Sequence, residues 1–515
     1  MGNIITFAGV KTNEHVITKA IHRIVPATLI ALCLWRVVGA VDPTLRFTDD
    51  FFYYVKAAQN WVDGAGSTFF PGEPTNGYHP LWFLWLALLY AITGRGPAFF
   101  AGVDVSVTIL MLGFFFLFNR FLHQLTGRRL PAAVGAGVAT MVIAPFAAWG
   151  LEMALTVCLA AALLMHLARR PLAEQTVKYA AVAGLLCALM ALARLDSIVL
   201  APLLLIAIAP TWGLRRVTAA AAGAIPLAVY GAVNIAIYGH LSTTSMAAKS
   251  MRVYLPPNLH FLAVDVPIPG GAAMQLTIIE AVIIVLARRV QNRDARRIAL
   301  ALAAAPVMQM ALHATLSGWM RFGWYLYFDN MCLGVAAALV ATELTRSASR
   351  TRRIGVPVGV LTAVALCVVV AGESRPAHVQ VGISQAAHQL RDFAAQHPGV
   401  YAMGDAAGAP AWLMNQPVVH LEGLMMSHSF LKLIRDQRPL SVAFKRYGVS
   451  YYVAVRADGT DHAGCLVFRE PNVRQSSAQA PAMSMTICRP PDHEIMADSY
   501  HMRIYRIEPA TGLPD

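Results

Sequence analysis

Charge is what this sequence has least of. Only 13% of its 515 residues are Asp, Glu, Lys or Arg, against 57% hydrophobic residues. A water-solvated domain carries about 25% charged residues, so a single soluble core is excluded. Acids are the scarcer sign, 28 against 41 Lys and Arg, for a formal charge of +13. In a soluble chain that excess would suggest a nucleic-acid partner, but here the bases cluster between apolar runs as the positive-inside rule predicts, and no nucleic-acid role is assigned. Metal spacing is lacking as well. Cys33, Cys158, Cys187, Cys332 and Cys367 lie in apolar segments, where cysteine serves as a small hydrophobe. Cys465 and Cys488 stand alone in a polar C-terminal region and can pair in an oxidising compartment. No repeat or low-complexity tract is evident. The start is polar, with Lys11, Lys19, His22 and Arg23 and no small-residue cleavage site, so the first apolar run reads as an anchor.

Apolar stretches near the spanning length, roughly 17 to 25 residues, fall near 24–41, 97–118, 131–148, 153–168, 178–193, 197–210, 217–238, 274–287, 298–316, 326–344 and 354–372. The N-terminal tail and the clusters Arg120 with Arg128 and Arg129, Arg169 and Arg170, Arg215 and Arg216, Arg288 to Arg297 and Arg346 to Arg353 are expected on the cytoplasmic side. Counting His79 to Thr93 as a crossing would break that parity. It is also short, and Trp82, Trp85 and Tyr90 suit the headgroup region, so it reads as a re-entrant or interfacial helix. The expected fold is an α-helical polytopic membrane protein of about eleven spans plus this helix, N-terminus in and C-terminus out. Residues 1–372 form the membrane domain, with outer loops at 42–97 and 239–273. Residues 373–515 form a small α/β domain, since AAHQLRDFAAQH is helical in pattern while VYAMG, VVHLEG and SYYVAVR are strand-like.

The first outer loop places Asp49 and Asp50 beside Phe51, Phe52, Tyr53 and Tyr54. Two adjacent acids in a partly desolvated pocket are not both ionised cheaply, so one is suited to general-base work. Equally, Thr48 or Asp49 could cap a helix whose dipole Asp50 suits. Glu73, Asn76, Tyr78 and His79 form a polar string folded by Gly77, expected to bind acceptor or sugar, or alternatively to shape a turn with His79 as a cap. Lys249, Arg252 and Arg321 are candidate cations for a phosphate, or headgroup contacts; Trp324 beside Arg321 suits a sugar-stacking wall or an aromatic belt. Glu152, Arg194, Asp196 and Asn234 lie near span ends, where ionisable groups pair or face a cavity, and Glu152 is expected to hydrogen-bond the acceptor or sugar, or alternatively to hold an arginine. Arg194 and Asp196 are expected to neutralise one another in a supporting role. Asp104 lies inside a span without a local partner, and Asp405 and Glu422 read as turn-forming acids.

The order of TDDFFYYVKAAQNWVDGAG, PTNGYHPLW, GLEMAL (Gly150 to Leu155), ARLDS (Ala193 to Ser197), YGHLSTTSMAAKS (Tyr238 to Ser250) and VYAMGDAAG resembles the C-type (GT-C) membrane glycosyltransferases, which include protein O-mannosyltransferases, lipid A aminoarabinose transferases and mycobacterial arabinofuranosyltransferases. The resemblance implies a polyprenyl-phosphate-linked sugar donor, with a glycan, lipid or protein of the cell envelope as acceptor. It implies Asp49 as the base and Asp50 as its neighbour, and Lys249 at the family's cationic position. Attack on the anomeric carbon would pass through an oxocarbenium-like state with inversion. No cofactor is implied; Asp49, Asp50 and His79 could collect a divalent cation, as the acids of some relatives do, yet no metal spacing supports it. The Ala, Arg and Leu bias suits a bacterial inner membrane with the site facing the periplasm. A transporter or flippase of envelope precursors is the alternative, although paired repeats and mid-span polar breaks are not seen.

Overall fold

The computed structural model describes residues 5–39, 41–258, 271–347, 376–472, 480–498 and 500–508. A helical bundle comes first: α1 (Ile5–Val38), α2 (Pro43–Arg46), α3 (Asp49–Val62), α4 (Pro80–Thr93), α5 (Pro97–Thr126), α6 (Arg129–Ala147), α7 (Met153–Ala168), α8 (Val177–Ala193), α9 (Leu200–Gly223), α10 (Ile225–Tyr238), α11 (Thr244–Lys249), α12 (Gly271–Ala287), α13 (Arg293–Leu316) and α14 (Tyr327–Ser347). The helices start and stop where local chemistry requires. The side chains of Thr176, Thr243 and Asn292 accept from the free amides of the first turns of α8, α11 and α13, while left-handed Gly127 and Gly239 end α5 and α10.

This is a multi-pass membrane protein. Among the described residues six helical segments are long and apolar enough to cross, namely Glu14–Val38, Pro97–Thr126, Arg129–Ala147, Leu195–Gly223, Arg293–Leu316 and Tyr327–Arg346. The expected count of eleven is not reached by that measure. Met153–Ala168, Val177–Ala193, Ile225–Tyr238 and Leu276–Ala287 are apolar but shorter, and the stretch at 354–372 lies outside the described residues. The expected spans at 197–210 and 217–238 are divided differently: α9 runs through both basic residues at 215 and 216 and bends at Gly213, where φ is 68°. Pro80–Thr93 is a separate apolar helix of 14 residues that begins on a proline and ends at Gly94.

One end of the bundle is knotted by long-range polar contacts. Asp104 of α5, only 4% exposed, takes Arg36 of α1 at 2.8 Å and also Arg46 of α2, and Arg36 donates to the carbonyls of Arg46 and Ala148. The C-terminal ends of α1 and α6 and the N-terminal ends of α5 and α7 therefore meet here. Gly150 adopts φ +83°, and a Cβ there would lie 2.5 Å from the ring of Phe47, so the turn between α6 and α7 requires glycine.

The terminal domain sits over this end. Its five-stranded sheet runs in the order β2 (Val418–His420), β1 (Val400–Met403), β3 (Val449–Ala454), β8 (Tyr500–Arg506), β7 (His493–Ala497). β1 is parallel to β2 and β3, while β8 is antiparallel to β3 and β7. A second sheet joins β4 (Gly459–Thr460), β5 (Leu466–Glu470) and β6 (Met483–Ile487). The helix Pro376–Gln396 docks on α2, with Gln380 donating to the carbonyls of Thr44 and Phe47 and His388 paired with Asp42. Cys465 and Cys488 form a disulfide across 23 residues, joining the β5 and β6 strands' ends. A loop of that length is worth about 3 kcal/mol of unfolded-chain entropy. Replacing both cysteines with alanine is therefore expected to lower the domain's unfolding temperature, and scanning calorimetry with and without reductant measures it; reductant should then affect only the parent.

Candidate active site

α3 enters beneath the terminal domain with two carboxylates in its first turn, where the helix dipole favours them. The neighbours have different surroundings. Asp49 is 6% exposed, and both of its oxygens are occupied: the backbone amides of Gly408 and Ala409 donate to it at 3.0 and 2.6 Å. Asp50, one helical step of about 100° away, is partly accessible. Among the described residues no hydrogen bond engages its carboxylate, and its charge faces Lys249, Asp405, Glu152 and His420. Burial pushes Asp49 up to about 7 and Asp50 up to about 6; for Asp50 the Lys249 ammonium pulls in the opposite direction.

Behind them lies a connected polar network. Tyr54 donates to Glu152 at 3.0 Å, and Arg194 donates to the same carboxylate at 2.5 Å while its Nε lies 2.9 Å from Asp196. Asp196 also meets Gln309 at 2.7 Å, His313 at 3.3 Å and Tyr327 at 3.3 Å. His79 accepts from the amide of Leu195 through Nδ1, which leaves the proton on Nε2, 3.6 Å from Glu152. Burial lowers the His79 pKa, against the pull of Glu152, and favours the neutral ring. Lys249 donates to Tyr325 at 3.1 Å and lies 5.3 Å from the centre of the Trp319 ring. Burial acts to lower its pKa, but Tyr325 and Asp50 outweigh that and raise it, so it stays an ammonium.

The polar string of the first loop divides. His79 joins the network, whereas Glu73, Asn76 and Tyr78 are engaged in holding the loops together. Glu73 accepts from Tyr447 at 3.0 Å and pairs with Arg446 at 3.6 Å. Asn76 bridges Asn234 at 3.2 Å and the Thr244 amide at 2.8 Å. Tyr78 bonds Ser67 at 2.5 Å and stacks on Phe83 at 3.8 Å. Gly77 lies against the terminal domain so closely that a Cβ would reach within 1.8 Å of the Leu424 carbonyl oxygen, which closes this junction to any other residue. Arg321 stays apart from the acids: it is 1% exposed and paired with Asp329 at 2.6 Å, a buried ion pair within the bundle rather than an open phosphate contact. Trp324 is parallel to Phe322 at 4.6 Å and edge-on to Trp149 at 5.8 Å, while Arg252 lies 5.9 Å from the Tyr254 ring. Among the described residues no group of three or more His, Cys, Asp or Glu has the arrangement of a metal site.

The terminal domain supplies Asp405 and Glu422, which the sequence marks only as turn-forming acids, and His420, which it does not single out. Asp405 follows β1, His420 ends β2 and Glu422 follows it, so all three lie at the carboxyl ends of two parallel strands, where open α/β sheets form binding crevices. His420 is fully buried, stacks on Tyr53 of α3 at 4.6 Å and lies 3.4 Å from Glu422. Burial lowers His420 to about 3 and, with Asp405 and Asp50 nearby, raises Glu422 well above the usual carboxylate range. The signal was the acid and histidine placed directly after an apolar run in VVHLEG.

No protein-family model matches the chain, and no curated protein matches its sequence. Solved structures do match its fold. The oligosaccharyltransferase of Archaeoglobus fulgidus in the apo form aligns with a TM-score of 0.55 at 11% identity, over 86% of this chain and 69% of that one. The same enzyme tethered to an acceptor peptide containing the NVT sequon aligns at 0.50 and 10% identity, over 84% and 69%. ArnT from Cupriavidus metallidurans bound to undecaprenyl phosphate aligns at 0.53 and 13% identity, over 84% and 93%. The chain thus has the GT-C fold.

Proposed function

We propose that this protein is a membrane glycosyltransferase that moves a sugar from a polyprenyl-phosphate carrier to a hydroxyl of a cell-envelope glycan, lipid or protein. The observation that carries the proposal is the unengaged Asp50 carboxylate facing the Lys249 ammonium, under the terminal domain of a GT-C fold. That ArnT was solved with undecaprenyl phosphate supports a polyprenyl carrier here as well. In this reading the acids lie on the periplasmic side of the inner membrane, with the basic ends of the helices in the cytoplasm.

Asp50, or Asp49 if the two exchange roles, takes the proton of the acceptor hydroxyl as its oxygen attacks the anomeric carbon. The bond from that carbon to the phosphate oxygen breaks, its electron pair leaves with the polyprenyl phosphate, and the configuration inverts. Lys249 faces the oxygen on which charge grows. Glu152, Arg194 and Asp196 fix His79, Tyr325 and Tyr327. Asp405 borders the acceptor's entry, with the buried His420 and Glu422 behind it.

The test is the purified full chain in lipid nanodiscs with a panel of polyprenyl-phosphate sugars and a cell-envelope extract. Sugar transfer matched by equal release of polyprenyl phosphate is the expected result; turnover of no donor in the panel would remove the support for this reading. With an active donor, Lys249→Ala is expected to cut kcat/KM about tenfold to a hundredfold. The loss should fall on kcat if the ammonium meets charge that develops only in the transition state.

A further inference from the structure

The opposite end of the same four helices carries a cavity that the reaction does not use. Its volume is about 690 Å³, and it opens between α1, α5, α6 and α7, lined by Lys19, Arg120, Arg129 and Arg169 around Thr18, His22, Asn119 and His123. From His22 to Val38 along α1, or from Arg169 back to Glu152 along α7, the helix rise gives about 24–26 Å, close to the thickness of a bilayer's hydrocarbon core. The cavity therefore lies in the interfacial region of the other leaflet from Asp50.

Two features separate it from an ordinary basic rim. First, among the described residues no carboxylate pairs with any of its four Lys and Arg side chains, whose heads are exposed at the opening. Second, its polar floor is incompletely satisfied. His22 Nδ1 donates to the Thr18 carbonyl at 2.8 Å, so its Nε2 accepts from the Asn119 amide at 3.1 Å. That arrangement leaves Asn119 Oδ1 buried without a partner, and His123 Nδ1 is likewise buried and unpartnered. A buried donor or acceptor left unmade is costly, and a ligand that supplies the missing partner recovers the loss. The ligand the cavity fits has an anionic phosphate for the four cations and a hydroxyl for the Asn119 side chain at the lining, whose buried Oδ1 meets it once that side chain turns toward the opening.

We propose that this cavity is a binding site for a hydroxyl-bearing phosphate anion, of the kind a phosphodiester lipid with a polyol headgroup presents. The site is independent of the glycosyl-transfer reading. The full-length protein in neutral detergent is titrated calorimetrically with short-chain phosphatidylglycerol, short-chain phosphatidylcholine and inorganic phosphate. The wild type is expected to bind phosphatidylglycerol and not phosphatidylcholine. Arg120→Gln combined with Arg169→Gln is expected to weaken binding at least tenfold, and Asn119→Leu, which keeps every charge, to weaken it as well. Arg170→Gln removes a neighbouring base outside the cavity and should leave binding unchanged. Competition by inorganic phosphate would make a free phosphate the source, and its failure to compete would make the lipid headgroup the source. Binding lost equally in Arg170→Gln, or retained in the double variant, would overturn the site and leave only diffuse attraction of a basic surface for anions. Circular dichroism of each variant before titration separates lost binding from lost folding.

Discussion

Asp50→Asn is expected to lower glycosyl transfer by about three orders of magnitude, within the range a positioned general base contributes, with the protein still folded. Asparagine is nearly isosteric, and among the described residues no hydrogen bond depends on the Asp50 carboxylate, so the substitution removes a proton acceptor and little else. The pH profile is the sharper test. A base works when ionised, and burial pushes Asp50 up to about 6, so kcat/KM is expected to rise with pH through about 6 and level off above it. Lys249 holds that value down, so Lys249→Ala should move the limb to higher pH as well as lowering the plateau. Asp49→Asn gives the contrast. Both of its carboxylate oxygens accept backbone amides from the terminal domain, and asparagine offers one acceptor where two are needed. That variant is expected to lose about 1–3 kcal/mol from one buried amide left unpaired, with the pH limb in place. If Asp49→Asn abolishes transfer in a folded protein and Asp50→Asn does not, the base is Asp49.

The difference between these neighbours shows where a sequence stops informing. Adjacent acids ahead of four aromatics mark a site, and the apolar runs around them mark a bundle, because both are local patterns. Which acid is tied down depends on Gly408 and Ala409, about 360 residues further along, and no periodicity reports that. The same holds for Asp104, whose partners Arg36 and Arg46 come from other helices. Local strand signals did place β1, β2 and β3, while the crevice formed by Asp405, His420 and Glu422 depends on two strands being parallel, which follows only from their pairing. Glu73, Asn76 and Tyr78 around a glycine turn suit either of two roles in the sequence, binding a ligand or shaping the turn, and only the partners of the turn distinguish them. In the fold that turn is pressed against Leu424, and these side chains meet loops and the terminal domain.

Arg194→Met should have the largest effect on stability, about 3–5 kcal/mol, the usual cost of removing one partner from a buried ion pair. Arg194 is 2% exposed, joins Glu152 to Asp196, and lies over the rings of Tyr325 and Tyr327 at 4.7 and 5.2 Å. Methionine fills much of the same volume, so the loss comes from charge more than from a cavity: Glu152, itself 2% exposed, keeps Tyr54 and His79 but no cation. Removing a carboxylate together with the arginine should therefore recover part of the loss. Glu152→Gln/Arg194→Met is expected to unfold at a higher temperature than Arg194→Met in the same lipid. If Arg194→Met keeps its unfolding temperature but loses transfer, the guanidinium acts on the reacting groups, and the buried network is part of the chemistry rather than its support.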